Sequence, residues 1–140
     1  MKALSLFFFY TYIGLVIVAG FWGAYINPYF DFKQLFHLDP YSLEEYSRIN
    51  ALSQYRFLRA IELGFGLFSI MYVKKIFSDK YFNALFLIIM GSGVLARIVS
   101  WFADGRPSNL FLFFLSYELL GLVIIFIYTK KNITHDGIEE

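Results

Sequence analysis

Four long apolar runs constrain the fold of this chain more than any other feature. They lie at about residues 4–21, 54–73, 81–103 and 110–129, and each is close to the roughly 20 residues that a helix needs to cross a bilayer. The composition agrees, with 59% hydrophobic and 16% charged residues, whereas soluble domains are about half apolar and about a quarter charged. We therefore predict an all-α fold, a four-helix transmembrane bundle that forms a single membrane domain over residues 1–140.

The first run also fits a secretory signal peptide, because Lys2 supplies a basic residue in front of an apolar stretch. The apolar region of a signal peptide is typically about 7–15 residues long, and this run is longer. We therefore expect a retained membrane helix.

Basic residues at the ends of the runs predict the orientation. If both termini are cytoplasmic, six lysines near the ends of the runs lie on the cytoplasmic side: Lys2, Lys74, Lys75, Lys80, Lys130 and Lys131. Lys and Arg near the ends of spans are enriched on that side of a membrane. The predicted topology has both termini inside, an extracytoplasmic loop over residues 22–53 and a cytoplasmic tail over residues 130–140.

The predicted loop is rich in aromatic residues and contains two prolines. Pro28 and Pro40 are expected to break any long helix. Ser42 and Glu45 have the spacing of a capping box, so a helix is expected to start there and to extend towards the second run. Tyr and Phe favour the membrane–water interface, which predicts an interfacial loop; a lid over the outer mouth of the bundle is the alternative.

Charged residues inside the apolar runs mark a candidate site. Arg59 and Glu62 lie in the second run, Arg97 in the third and Glu118 in the fourth. With the predicted topology and helical rise, all four fall at similar depths in the outer half of the membrane. Such residues usually face a bundle interior or a polar cavity. The spacing suggests intramembrane ion pairs, with Glu62–Arg97 and Arg59–Glu118 as plausible pairings, although other pairings remain open.

Polar and small residues share helix faces with these charges, at intervals of three and four residues. Small residues let membrane helices approach closely, and polar ones hydrogen-bond between helices. The residues concerned are Tyr55, Ser100, Asp104, Gly66, Gly93 and Gly121. The resulting layer has two interpretations. It either holds the helices in register or lines a pocket that binds a small anion or a lipid headgroup.

Several local sequences carry a family resemblance. Arg59-Ala60 precedes Gly64-Phe65-Gly66-Leu67, a run from Gly91 to Ser108 contains Arg97 and Asp104-Gly105-Arg106-Pro107, and Glu118 follows. Over about residues 50–131 this order resembles a bacterial family of small four-span membrane proteins catalogued as a domain of unknown function. The resemblance implies a four-span fold in the bacterial cytoplasmic (inner) membrane. It also implies helix packing at Gly64, and it implies no reaction.

No reaction signature is found in the sequence. Cysteine is absent, and His37 and His135 both lie outside the apolar runs, so haem ligation between helices and thiol chemistry are not expected. We predict no catalytic residue, no metal and no cofactor. The net charge of +1 gives no reason to expect a nucleic-acid partner.

Three functions remain open. The first is a non-enzymatic membrane protein whose Arg/Glu layer binds a ligand or a lipid headgroup. The second is a small oligomeric proton-coupled transporter that uses Glu62 or Glu118 as the proton carrier. The third is an accessory or assembly subunit of a membrane complex. The partners expected are membrane lipids, a small anionic ligand, and a second copy or another membrane subunit.

Overall fold

The computed structural model describes residues 1–133, and the regular structure there is entirely helical. The helices are α1 (Lys2–Phe21), α2 (Pro28–Leu35), α3 (Glu45–Met71), α4 (Val73–Ser78), α5 (Lys80–Asp104) and α6 (Asn109–Ile133). A π-helical turn (Trp22–Ile26) continues α1, and a 3-10 turn (Pro40–Ser42) lies between α2 and α3. The predicted all-α fold is confirmed for these residues. Residues 130–133 of the predicted tail continue α6, and the rest of it, with His135, lies outside the described residues.

Three helical segments are long and apolar enough to cross a membrane: Lys2–Ile26, Lys80–Asp104 and Asn109–Ile133, each of 25 residues. Three of the four predicted spans therefore have this character. Helix α3 is longer, at 27 residues, but it is not among them. Charged residues, including Arg56, Arg59 and Glu62, interrupt its apolar part.

The chain forms two compact units, the first containing residues 1–12 and those from Met71 onward, the second Ile13–Ile70. In the first unit, Phe9, Phe86 and Ile125 are completely buried. The Phe9 ring lies 5.2 Å from Phe86 and 5.3 Å from Phe77. The core of this unit is therefore built on aromatic packing.

Defined caps and turns position the helices of the first unit. The Asp79 side chain caps α5 by accepting hydrogen bonds from the backbone N–H groups of Tyr81 and Phe82, at 2.8 and 3.0 Å. Gly105 ends α5 with φ 106° and ψ 179°, a conformation that is essentially restricted to glycine. Four residues, 105–108, then connect α5 to α6, which places the two helices side by side in opposite directions.

In the second unit, α1 and α3 approach each other closely at two glycines. A Cβ atom added to Gly20 would lie 2.8 Å from the Leu63 backbone nitrogen and 2.9 Å from the Arg59 carbonyl oxygen. A Cβ atom at Gly66 would lie 2.5 Å from Cγ1 of Ile17. The missing side chain at Gly20 therefore allows backbone to meet backbone.

The segment predicted as a loop contains several helical turns. Asn27 caps α2 by accepting a hydrogen bond from the Phe30 N–H at 3.0 Å, and Pro28 is the first residue of that helix. Pro40 similarly begins the 3-10 turn, where the Asp39 side chain accepts from the Tyr41 N–H at 3.1 Å. Both prolines interrupt longer helices, as predicted, because each starts a new helical segment.

The start of α3 corrects one expectation. A continuous helix does run from Glu45 into the second apolar run, as predicted, but Ser42 is not its N-cap. Ser42 belongs to the 3-10 turn, and its hydroxyl donates to the Asp39 carbonyl oxygen at 2.7 Å. Leu43 is extended and follows that turn, so the capping-box prediction is wrong.

Candidate functional site: two ion-paired clusters

Four side chains of the second unit form a hydrogen-bonded chain, here called the Arg59 cluster: Asp31, Tyr55, Arg59 and Glu62. The Tyr55 hydroxyl donates to Oδ2 of Asp31 at 2.8 Å and accepts from Nε of Arg59 at 2.8 Å. Arg59 Nη1 donates to Oε2 of Glu62 at 2.6 Å. Nε of Arg59 also lies 3.9 Å from Oδ2 of Asp31. One guanidinium thus serves two carboxylates, one of them through a tyrosine.

The π-helical turn makes room for this cluster. Gly23 lies in that turn, and a Cβ atom there would be 2.7 Å from Cγ of Arg59 and 2.9 Å from Oδ2 of Asp31. The next residue, Ala24, offers its carbonyl oxygen to Nη1 of Arg56 at 2.5 Å. The turn therefore positions two consecutive arginines of one face of α3, one by space and one by a hydrogen bond.

A second ion pair, here called the Arg97 pair, joins α5 and α6 in the first unit. Arg97 binds Glu118 through two parallel hydrogen bonds, from Nε to Oε2 at 2.8 Å and from Nη2 to Oε1 at 3.1 Å. This fork geometry is the strong, directional form of an arginine–carboxylate contact. The guanidinium carbon also lies 5.9 Å from the centre of the Phe111 ring. The pair fixes α5 relative to α6 at this level.

A cavity of about 430 Å³ lies beside the Arg97 pair. Its walls are mostly apolar, and its polar groups come from α5. The lining residues are Ala96, Arg97, Ser100, Pro107, Phe111 and Leu115. Ser100 donates its hydroxyl to Oδ2 of Asp104 at 2.9 Å. The site therefore combines one cationic group with apolar walls, which suits an amphiphile that carries a small acidic group.

The predicted site residues fall into two groups, one in each unit. Tyr55, Arg59 and Glu62 belong to the Arg59 cluster, whereas Arg97, Ser100, Asp104 and Glu118 lie in or beside the Arg97 pair. Each arginine has a carboxylate partner inside its own unit. The observed pairs, Arg59–Glu62 and Arg97–Glu118, therefore differ from the suggested Glu62–Arg97 and Arg59–Glu118. Arg59 and Glu62 are one helical turn apart, a spacing that lets them bond locally.

The four predicted packing glycines have different surroundings. A Cβ atom at Gly66 would contact Ile17, as described above, and one at Gly121 would lie 3.4 Å from both Met90 and Phe8. Gly64 and Gly93 have open space at the same position. Within the described residues, helix contact therefore occurs at Gly66 and Gly121.

Three residues of the Arg59 cluster and its surroundings were missed by sequence reasoning. Gly20 and Gly23 are spaced three apart at the end of the first run, a small-residue pattern that indicates close helix approach. Asp31 is a lone carboxylate in an aromatic segment, Tyr29-Phe30-Asp31-Phe32. Its isolation among apolar neighbours was the signal available, since buried carboxylates need a partner.

Residues 1–133 contain no group of three or more His, Cys, Asp or Glu side chains placed to hold a metal ion. The chemistry that these residues offer is ion pairing, hydrogen bonding and apolar contact.

Together, the membrane-length helices and the ion pairs on them define a helical protein of membrane-spanning character. The chain belongs to the family described as Domain of unknown function (DUF4345), whose model matches residues 2–129. The resemblance to a family of unknown function is confirmed at that level. No curated protein and no solved structure matches the chain.

Proposed function

We propose that this is a non-enzymatic integral protein of the bacterial cytoplasmic membrane that binds an anionic amphiphile in the cavity beside the Arg97 pair. The observation that carries the proposal is the cavity itself, an apolar space of about 430 Å³ with a guanidinium on its wall. Ligand sites of this kind are mostly apolar and use a few placed polar groups to orient the ligand.

The Arg97 pair supports binding of an anion because the arginine is its more accessible member. The Arg97 side chain is 36% exposed, whereas that of Glu118 is 15% exposed. Glu118 occupies Nε and one N–H of Nη2, and no other described residue takes a hydrogen bond from Nη1. A phosphate or carboxylate oxygen in the cavity can therefore bind the guanidinium without displacing Glu118.

We also propose that α3 is a fourth span, with both termini in the cytoplasm. Two observations support this. First, Arg59 bonds both to Glu62 and to Tyr55, which reduces the cost of placing a charge in a membrane. Second, the backbone of α3 lies against α1 at Gly20, and α1 belongs to a segment of membrane-spanning character. A helix packed this closely shares the environment of its neighbour.

Lipid retention tests the binding proposal. Protein extracted in mild detergent is mixed with phosphatidylglycerol or phosphatidylcholine and examined by native mass spectrometry. The wild type is expected to retain phosphatidylglycerol preferentially. Arg97→Gln should weaken that retention about 10- to 100-fold, because a hydrogen bond to a charged group contributes about 1.5–3 kcal/mol. Arg106→Gln, in the turn that follows α5, is the matched control and should bind as the wild type does.

A double variant separates binding from folding. Arg97→Leu with Glu118→Leu removes both charges at once, so neither is left unpaired in an apolar setting. We expect this variant to remain folded, by circular dichroism, and to lose its preference for phosphatidylglycerol. Equal retention by the double variant and the wild type would overturn the binding proposal.

The absence of cysteine makes the topology directly testable. Single-cysteine variants Lys33→Cys, Lys80→Cys and Arg106→Cys can be labelled in intact cells with a membrane-impermeant maleimide. Four spans place residues 33 and 106 outside and residue 80 inside. Three spans would place residues 33 and 106 on opposite sides of the membrane, and that labelling pattern would refute the proposed topology.

A further inference from the structure

The second unit carries a groove of about 480 Å³ on the surface of α1, separate from the cavity beside the Arg97 pair. Its apolar walls include Leu15, Val18 and Trp22 on one side and Phe30 on the other. Among the residues that line it, Asp31 is the charged one. We propose that this groove binds a membrane phospholipid whose headgroup carries a primary ammonium group, with the ammonium at Asp31 and an acyl chain along α1.

The apolar walls fit an acyl chain because they run along a membrane-length helix. Leu15, Val18 and Trp22 lie three to four residues apart, on one face of α1 and the turn that continues it. They are 55%, 71% and 40% exposed. In a bilayer, this face meets lipid tails. The Trp22 ring lies edge-on to Phe30, with 6.2 Å between ring centres, so an aromatic pair forms part of the wall.

The position of Trp22 sets the headgroup level. Trp and Tyr concentrate at membrane–water interfaces, and Trp22 and Tyr25 stand at the end of the Lys2–Ile26 segment. Asp31 follows within one further turn of α2. A carboxylate at this level meets headgroups rather than acyl chains.

The local charge favours a cation. Asp31 is 8% exposed, and its Oδ2 atom accepts the Tyr55 hydroxyl. No described residue donates a hydrogen bond to Oδ1. Within the Arg59 cluster, two carboxylates share the single guanidinium of Arg59. The neighbouring Arg56 donates instead to the Ala24 carbonyl oxygen. A primary ammonium supplies both the positive charge and the N–H donors that Oδ1 lacks.

Tryptophan fluorescence provides a specific test. The chain has two tryptophans, so the Trp101→Phe variant leaves Trp22 as the reporter in the groove wall. This variant is reconstituted in phosphatidylcholine vesicles containing a fixed fraction of one lipid with brominated acyl chains, which quench nearby tryptophan. The brominated lipid is phosphatidylethanolamine, phosphatidylcholine or phosphatidylglycerol. The first two differ in N–H donors but not in net charge.

We expect phosphatidylethanolamine to quench Trp22 with an apparent affinity about fivefold above that of phosphatidylcholine, as for an ion pair of about 1 kcal/mol. Asp31→Asn should abolish this preference while keeping the acceptor for Tyr55. Asp39→Asn, at an exposed carboxylate, should retain it. Equal quenching by both lipids in the protein with Asp31, or a preference that survives Asp31→Asn, would overturn the proposal.

Two further outcomes are distinguishable. A preference for phosphatidylglycerol at Trp22 would contradict the assignment of a cationic headgroup. Disulfide formation by a Val18→Cys variant, in this otherwise cysteine-free chain, would show a second copy covering the groove and would also overturn it. Because Arg97 is unchanged in all these variants, failure here is separate from failure of the cavity beside the Arg97 pair.

Discussion

Replacement of Gly20 by alanine tests the contact between α1 and α3 directly. The added Cβ atom would lie 2.8, 2.9 and 3.1 Å from the Leu63 nitrogen, the Arg59 oxygen and the Leu63 Cα atom. All three are backbone atoms, which cannot rotate away as a side chain does. The two helices must therefore separate at this point, and separation also disturbs the backbone that carries Arg59.

The expected magnitude follows from two opposing effects. Overpacking of a tight contact costs about 1–3 kcal/mol, whereas alanine is favoured over glycine inside a helix by about 1 kcal/mol. Gly14 lies on the same helix and has open space at its Cβ position, so Gly14→Ala gains the second effect without the first. The difference between the two variants cancels helix propensity. We expect Gly20→Ala to be less stable than Gly14→Ala by about 1–3 kcal/mol.

The assay is unfolding in mixed micelles with increasing sodium dodecyl sulfate, followed by far-ultraviolet circular dichroism. Gly66→Ala provides an intermediate case, because its Cβ atom would meet the side chain of Ile17, which can adopt another rotamer. The expected order of stability is Gly14→Ala, then Gly66→Ala, then Gly20→Ala. If Gly20→Ala is as stable as Gly14→Ala, the reasoning from close backbone approach is refuted.

Two further variants probe single interactions by the same unfolding measurement. Gly105→Ala should lose about 1–3 kcal/mol, because its φ of 106° and ψ of 179° strain any residue with a Cβ atom; unchanged stability would show that the turn relaxes without cost. Tyr55→Phe should lose about 1–3 kcal/mol, because Asp31 and Arg59 each lose a hydrogen-bond partner, whereas Tyr46→Phe, at a residue 72% exposed, should change stability by less than about 0.5 kcal/mol. Equal losses in the two tyrosine variants would refute a role for the Tyr55 hydroxyl.

Helix position was predictable where apolar runs end at polar turn residues. The third run was expected at 81–103, and α5 spans Lys80–Asp104, because Asp79 and Gly105 bound it with a cap and a turn. The second run was expected to start near residue 54, but α3 starts at Glu45. Apolar length reports where a helix crosses a membrane and not where the helix begins, so the polar first turns of α3 escaped that criterion.

The candidate site was predictable where a charged residue stands alone on an apolar helix. Arg97 and Glu118 were identified for that reason, and their contact follows from the short turn between α5 and α6. Asp31 was not identified, because its contact with Tyr55 depends on where α2 points after the π-helical turn. That direction is a property of the folded backbone, and no local sequence pattern encodes it.

The π-helical turn at Trp22–Ile26 has a consequence for how the chain tolerates change in length. Such turns are rare and occur mostly as single widened turns within α-helices, equivalent to one additional residue in the helix. Deleting one residue there would restore an ordinary α-helix and rotate everything that follows by about 100°, the angle of one residue in a helix of 3.6 residues per turn. Asn27, Pro28 and the whole of α2 would then swing to another side of α1, and Asp31 would leave Tyr55. The length of this one turn acts as a phase setting between the first helix and the segment behind it.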